Sequence, residues 1–308
     1  MQNLHIEHPE DMILEGNLEV FDALYSTAHI SQKIDGAPSI VYGIHPNNGR
    51  FFVGTKSVFN KVKNMVCYTV EDINEKYDKR THASLIEVLT ACLLYLPRNN
   101  EIIQADFIGF GGSNIYRPNT LTYSFPEIVK QKIIIAPHTE YNIPANADKF
   151  IFGRDPDLRD VISSPLLTTF ADSEDVKYIQ PTVDRVYEGK DVPSINTDRV
   201  TFLTPKETKI AKKAINNLIR EGVELNDANL YDILGCNHLV NLYQIIIDIK
   251  RDLMDSFIVG DAPKCYNDGI EIKGEGFVMV TKYGIIKLVD REDFAYANFN
   301  KGRFQNKS

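Results

Sequence analysis

The spacing of apolar residues along the chain predicts two kinds of secondary structure. Apolar side chains recur every three or four positions, as on one face of a helix, at 8–26, 69–78, 82–96, 205–220 and 226–258. Gly16 and Gly235 are expected to break the first and last of these stretches. Short apolar runs bounded by turn residues predict strands at 39–44, 50–54, 101–108, 121–125, 132–136, 149–152, 168–170, 270–273, 274–280 and 285–289. The pattern therefore predicts an α+β protein.

A turn between two predicted strands carries the first candidate chemistry. The segment reads Ser31-Gln-Lys-Ile-Asp-Gly-Ala-Pro38, and Gly36 with Pro38 predicts a β-hairpin that has Lys33 at the end of its first strand. Burial at the floor of a cleft would disfavour the charged ammonium form and leave a free amine. Such an amine can attack a carbonyl or a phosphorus centre. The alternative is an ordinary hairpin with a solvated lysine.

Residues 205–258 differ from the rest because they contain helical patterns alone. The pattern predicts a helical subdomain at 205–258, inserted into a β-rich domain made of 1–204 and 259–308. One side of its first helix is apolar, and the other carries Lys206, Lys209, Lys212 and Lys213. This lysine side either keeps the helix soluble or contacts nucleic acid.

Composition narrows the class of protein. With 308 residues, 43% hydrophobic and 25% charged, the chain is typical of soluble globular proteins. No apolar run has membrane-spanning length, and the first residues do not form a signal-peptide pattern, so no membrane association is expected. The four cysteines are far apart and are expected to be free thiols in the reducing cytoplasm. A net charge of −8 argues against a protein that coats nucleic acid, but it permits a locally basic cleft.

Three short motifs follow one another in a distinctive order. They are Lys33-x-Asp35-Gly36, then Glu275-Gly-Phe-Val278, then Lys287 within Ile285-Ile-Lys-Leu-Val289, and each lies on or beside a predicted strand. Together they resemble the signature of the covalent nucleotidyltransferases, which include ATP-dependent DNA ligases, RNA ligases and messenger-RNA capping enzymes. The fuller phrasing around the motifs is most similar to phage-encoded RNA-ligase-like proteins.

The resemblance implies a fold. It predicts a nucleotidyltransferase (adenylation) domain with antiparallel sheets around a nucleotide cleft, carrying the inserted helical subdomain. DNA ligases and capping enzymes usually continue into an OB-fold, and the short stretch after Lys287 leads us to expect no C-terminal OB-fold here. In one further departure, Ile285 stands where the family's last motif often has a second lysine, and Lys282 lies nearby.

The resemblance also assigns the reacting groups. Lys33 would attack the α-phosphorus of ATP, and Lys287 would contact the α-phosphate. Glu275 would bind a divalent metal, Mg²⁺ or Mn²⁺, and Asp35 would line the pocket and assist binding of the metal or of the nucleic-acid end. Lys56 matches a basic residue that such enzymes place against phosphates or the nucleic-acid end.

The remaining nucleotide contacts are assigned in the same way. Asp106 would contact the ribose hydroxyls, where the family usually has Glu. Gln32 and Gly36, beside the lysine motif, would contribute to nucleotide binding. An aromatic residue within Tyr123 to Phe125, or Tyr141, would stack on adenine, and the sequence does not choose among them.

These assignments predict an ATP-dependent polynucleotide ligase. It would form lysyl-AMP, transfer AMP to a 5′-phosphate end and seal that end to a 3′-hydroxyl. RNA ends are favoured over DNA ends as partners, in the cytoplasm of the host if the protein is phage-encoded. The alternatives are a DNA nick ligase, an enzyme that stops at the adenylylated end, or a degenerate fold kept as a nucleic-acid-binding module.

Overall fold

The computed structural model describes residues 6–60, 62–98, 100–143, 158, 160–185 and 196–291. The helices are α1 (Pro9–Met12), α2 (Glu19–Tyr25), α3 (Val70–Lys76), α4 (Ala83–Tyr95), α5 (Pro205–Glu221), α6 (Asp227–Leu234) and α7 (Asn237–Asp255), with 3-10 turns at Ile13–Glu15 and Lys56–Phe59. No helix in these ranges combines the length and the apolar character needed to cross a membrane.

The strands are more numerous and mostly short. They are β1 (Ala28–Lys33), β2 (Ser39–Ile44), β3 (Phe51–Gly54), β4 (Ile102–Phe110), β5 (Ile115–Tyr116), β6 (Leu121–Ser124), β7 (Ile133–Asn142), β8 (Ile162–Pro165), β9 (Val176–Tyr178), β10 (Val183–Arg185), β11 (Phe257–Val259), β12 (Lys264–Asn267), β13 (Ile270–Ile272), β14 (Gly276–Thr281) and β15 (Gly284–Leu288). The predicted α+β class is confirmed. Among the strand pairs in the described ranges, β7 with β9 is parallel and the others are antiparallel.

The chain forms two compact units. The first unit contains Ile34–Gln180 and Ala262–Ile272, and the second contains Ile6–Lys33, Pro181–Asp261 and the residues from Lys273 onward. The second unit therefore groups the helices of 205–258 with β1, β14 and β15. The predicted boundaries, which separate these helices from the three strands, stay a prediction.

The first unit is built on a six-stranded sheet in the order β3-β2-β4-β7-β8, with β9 beside β7. Ile103, Ala105 and Phe107 of β4 share a core with Ile73 of α3 and Leu89 of α4. Since side chains alternate across a strand, the residues between them face away from these helices. A second sheet, in the order β13-β12-β6-β5, completes the unit.

The second unit packs a three-stranded sheet against helices. β14 is the central strand, with β1 on one side and β15 on the other. Alternate residues of the sheet are buried in one core with α1, α2, α5, α6 and α7. They are Ile30, Phe277, Met279, Ile286 and Leu288. The remaining strands of the unit, β10 and β11, form a separate antiparallel pair.

Most of the predicted elements are present. The helices predicted at 69–78, 82–96 and 205–220 are confirmed to within a few residues. Gly16 and Gly235 end their helices in the left-handed conformation, with φ of 81° and 68°. The predicted strand at 149–152 lies outside the described residues. The strand predicted at 168–170 is wrong, because Phe170 instead stacks on Tyr178 from a loop, at 5.3 Å between ring centroids.

The hairpin predicted around Lys33 is also wrong. β1 pairs with β14, from Ala28 opposite Thr281 to Lys33 opposite Gly276. β2 pairs with β3 and β4 in another sheet. Both strands exist, but each meets a partner distant in sequence, so residues 34–38 connect two sheets.

Candidate active site

Three adjacent strands of the second unit bring together residues from both ends of the chain. Lys33 ends β1 and lies opposite Gly276 at the start of β14. Val278 of β14 lies opposite Lys287 of β15. Since residues two apart on a strand share a face, this register puts Lys33 and Lys287 on the same face of the sheet. That face is opposite to the one buried against the helices.

Lys33 is paired with a carboxylate. Its Nζ donates to Oε2 of Glu275, which directly precedes β14. The Glu275 side chain is 13% exposed and that of Lys33 is 36% exposed. The expected burial of Lys33 in a hairpin cleft is therefore not observed, because the strand that pairs with β1 is β14. The amine of Lys33 is held by its ion pair with Glu275 and is not enclosed by other side chains.

The structure explains why the residue after Glu275 is a glycine. Gly276 has φ of 142°, and a Cβ at this position would lie 2.2 Å from the carbonyl oxygen of Leu288 in β15. A larger residue would force β14 and β15 apart at the point where Glu275 enters the sheet. The Glu-Gly pair thus combines a charged group with the close strand approach that positions it.

Gln32 supports the same segment from β1. Its Nε2 donates to the carbonyl oxygen of Lys273 at 2.9 Å, two residues before Glu275. Its Oε1 is buried without a hydrogen-bond donor among the described residues. The structure therefore places Gln32 next to the turn that carries Glu275, and its predicted part in nucleotide binding stays a prediction.

Lys287 lies in an environment that lowers the pKa of its amine. Burial lowers the pKa of its amine; Arg291 and Lys33 lower it further, while Glu7 and Asp11 act in the opposite direction. The backbone is held as well, because the N–H of Lys287 donates to the carbonyl oxygen of Glu7 at 3.2 Å. A half-buried amine of this kind is suited to contact an anion.

The decisive comparison is with protein families. The profile of a family of unknown function, DUF6267, matches residues 3–234 and, in a second overlapping match, residues 190–303. The chain belongs to this DUF6267 family. A search of the curated proteins and a search of the solved structures return no match.

In the first unit of the DUF6267 chain, the segment after Lys33 is tightly held. The hydroxyl of Tyr123 accepts from the N–H of Asp35 at 2.9 Å and donates to its carbonyl oxygen at 3.0 Å. The side-chain amide of Asn119 donates to the Asp35 carboxylate. The sequence suggests Tyr123 as a possible adenine-stacking ring, but nothing local to Asp35 indicates that this residue, 88 positions away, holds its backbone.

Asp106 lies in a polar cluster on the six-stranded sheet. The N–H of Gly36 donates to its Oδ2 at 3.3 Å, and Nε2 of His138 lies 3.5 Å from its Oδ1. Burial alone would raise the pKa of Asp106, but hydrogen bonds from His138, Ser39 and the Gly36 N–H outweigh burial and lower it. The carboxylate is therefore ionised near neutral pH.

His138 is a residue that sequence reasoning missed. It occupies a β-bulge of β7, between Thr139 opposite Gln104 and Pro137 opposite Ala105. The bulge directs its ring to Asp106 and Gln104, with Nε2 of Gln104 3.5 Å from Nε2 of His138. The sequence of β4 does contain a signal, because Gln104 and Asp106, two positions apart, interrupt an otherwise apolar strand. Residues at this spacing share one face of a strand, which indicates a polar cluster there.

The other predicted residues of this unit are less closely grouped. Lys56 is exposed at the start of the 3-10 turn after β3, and no hydrogen bond or ion pair among the described residues joins it to Asp35 or Asp106.

The candidate adenine-stacking rings are enclosed. Tyr123 is 1%, Phe125 7% and Tyr141 3% exposed, so none presents a free face to a base.

The donor set suits a metal that the protein only partly coordinates. In the described ranges, no three His, Cys, Asp or Glu side chains come together as a ligand group. Mg²⁺ is often held by one or two carboxylates together with substrate phosphates and water. Glu275, a partly accessible carboxylate paired with Lys33, fits that mode of binding.

Proposed function

We propose that this protein is an ATP-dependent polynucleotide ligase, most similar to RNA ligases, that acts through lysyl-AMP on Lys33. The observation that carries the proposal is the convergence of Lys33, Glu275 and Lys287 on three adjacent strands of one sheet. Lys33 and Glu275 are 242 positions apart, and the sequence resemblance selects them without any knowledge of contact.

The first chemical step would be self-adenylylation. The amine of Lys33 attacks the α-phosphorus of ATP, so that a nitrogen–phosphorus bond forms. The bond from the α-phosphorus to the oxygen bridging to the β-phosphate breaks, and pyrophosphate leaves with that electron pair. Lys33 must lose a proton in this step, and the carboxylate of Glu275, already bonded to its Nζ, is placed to accept that proton and to orient the amine before attack.

Charge neutralisation is the second requirement. Transfer at phosphorus spreads negative charge over the phosphate oxygens, and catalysis consists largely of positioning and offsetting that charge. Lys287 lies on the same face as Lys33 and is assigned to the α-phosphate. A Mg²⁺ or Mn²⁺ ion held by Glu275 would supply further neutralisation. Asp35, which the resemblance also assigns to the metal, belongs to the first unit.

The next steps would use the nucleic acid. The AMP group passes from Lys33 to a 5′-phosphate end, and a 3′-hydroxyl then displaces AMP to seal the strand. Asp106, with its low pKa, is suited to accept hydrogen bonds from ribose hydroxyls. Gln32, Gly36 and Lys56 keep the nucleotide-binding roles that the resemblance assigns.

The test is covalent labelling with ATP radiolabelled at the α-phosphate, in the presence of Mg²⁺ or Mn²⁺, followed by denaturing electrophoresis. We expect the label to stay on the wild-type protein and to be released by acid but not by base. Lys33→Ala and Lys33→Arg should not label, and Glu275→Gln should label weakly. Lys282→Ala is the matched control, since this exposed lysine lies at the turn of the same sheet.

The outcomes separate the alternative functions. Label on Lys33 followed by sealing of RNA ends supports the proposed ligase, and sealing of nicked DNA alone would indicate a DNA ligase. An adenylylated end that is never sealed would indicate an end-adenylylating enzyme. Wild-type protein that never labels, although folded and free of bound AMP by mass, would refute the proposal and favour a binding module.

A further inference from the structure

The outer face of α5 is mainly basic. The inner face is defined by its buried residues, Thr208, Ala211, Ile215 and Ile219. At 100° per residue, seven positions lie opposite these buried residues. They are Lys206, Lys209, Ile210, Lys213, Asn217, Arg220 and Glu221. Four of the seven are cationic and one, at the end of the helix, is acidic, and this set is called the basic face of α5.

Lys212 does not belong to this face, although the sequence groups it with the other lysines. Its Nζ is bonded to Glu7 and lies 3.7 Å from Oδ2 of Asp11. Lys212 is therefore already paired with carboxylates of the second unit. In contrast, Lys206, Lys209 and Lys213 are exposed, and none of them forms an ion pair with a described residue.

This arrangement is unfavourable for the protein alone. Lys206 with Lys209, and Lys209 with Lys213, are like charges at the spacings where helical side chains meet, and such pairs destabilise a helix. Glu207, in the first turn of the helix, does not pair with these lysines. Its carboxylate accepts from the N–H and the hydroxyl of Thr204, at 2.8 Å and 2.7 Å. A polyanion would relieve this repulsion.

We infer that the basic face of α5 binds the sugar–phosphate backbone of a single-stranded polynucleotide. Lys206 and Lys213 are about 10 Å apart along the helix axis, so the three lysines can contact successive phosphates of one strand. Ile210, 63% exposed among the lysines, offers an apolar contact to an unstacked base. The identity of the polyanion rests on the proposed function, since a ligase must hold the strand whose end it joins.

The test measures binding of a 5′-phosphorylated oligouridylate by fluorescence anisotropy at several salt concentrations, without ATP. Each lysine that neutralises a phosphate of a single strand contributes about 0.7 to the slope of log affinity against log salt. The Lys206→Gln/Lys209→Gln/Lys213→Gln variant should lose about 2 from that slope. Wild type should lose about 20-fold more affinity than the variant between about 50 and about 200 mM salt.

The control variant is Lys63→Gln/Lys79→Gln/Lys130→Gln. It removes the same charge from exposed positions of the first unit, and we expect its slope to equal that of wild type. Circular dichroism melting checks that both variants are folded. An oligothymidylate arm and an anionic vesicle arm compare other polyanions.

Two results would overturn the inference. One is an α5 variant that keeps the wild-type slope, and the other is wild type that binds the vesicles but neither oligonucleotide. The labelling of Lys33 is measured separately. A protein that binds oligonucleotide through α5 but never labels would refute the ligase proposal alone, and a labelling protein with an unchanged slope would refute the α5 inference alone.

Discussion

Replacing Lys250 by Met should destabilise the second unit strongly. Nζ of Lys250 lies 2.8 Å from Oε1 of Glu10, and the two side chains are 3% and 1% exposed. The same Nζ donates to the carbonyl oxygen of Val289 at 3.0 Å, directly after β15. Removing one partner of a buried ion pair leaves an uncompensated charge, which costs about 3–5 kcal/mol.

The loss of stability in Lys250→Met should lie at the low end of this range, because a neighbouring cation still interacts with Glu10. Nη1 of Arg291 lies 3.6 Å from Oε1 of Glu10 and would keep part of the compensation. We therefore expect Lys250→Met to lower the free energy of unfolding by about 3 kcal/mol. Adding Glu10→Gln removes the unpaired charge, so the double variant should lose only about 1 kcal/mol, mainly the bond to Val289.

Urea unfolding, followed by circular dichroism, measures these differences. Lys273→Met is the matched control, because Lys273 pairs with Asp255 at 2.7 Å but both side chains are largely exposed. Exposed pairs contribute about 0–1 kcal/mol. The reasoning fails if Lys250→Met costs no more than Lys273→Met, or if adding Glu10→Gln recovers no stability.

Three further predictions concern other described contacts. Tyr123→Phe removes both hydrogen bonds to Asp35 and should cost about 2 kcal/mol in urea unfolding; an unchanged midpoint would contradict this. The folded pKa of Asp106 lies below the ordinary 3.8, so its contribution to stability is present above that value and lost as pH falls through the lower one. Asp106→Asn should therefore flatten the acid side of a stability–pH curve, and a curve as steep as wild type would count against it. Cys236 should be the first thiol alkylated by iodoacetamide, because backbone N–H donors outweigh burial and lower its pKa, whereas burial raises the pKa of Cys67 to about 11. Intact-mass measurements should show that Cys236→Ser loses the fastest modification, and equal rates would contradict this order.

Local sequence patterns predict elements here better than they predict pairing. The helices around Gly16 and Gly235 are recognisable because periodicity and a left-handed terminator agree. The hairpin at Lys33 is mispredicted because a turn signal shows only that two strands flank it. The edge that each strand meets depends on burial elsewhere, and β1 meets a strand more than two hundred residues away.

In the candidate site, too, local sequence predicts some residues, and others are recognised only from contacts in the folded chain. Motif order identifies Lys33, Glu275 and Lys287 as a set, since their residue types carry the chemistry. Tyr123 and His138 carry no motif, and their importance lies in hydrogen bonds that only the folded chain forms. Their detection from sequence would require knowledge of the partner strand and, for His138, of a one-residue bulge.

Charge balance distinguishes the two charged groups of the second unit. In the first group, each cation has its own carboxylate. The pairs are Lys212 with Glu7, Lys250 with Glu10 and Arg291 with Asp11. The last two pairs are buried and the first is partly exposed. A group that is balanced in this way has no need of a ligand. In the second group, Lys33 is bonded to Glu275, and Lys287 lies on the same face of the sheet. Burial lowers the pKa of the Lys287 amine, Arg291 and Lys33 add to this effect, and Glu7 and Asp11 oppose it. A half-buried ammonium group is unfavourable unless an anion accompanies it, and this supports the phosphate contact that we propose for Lys287.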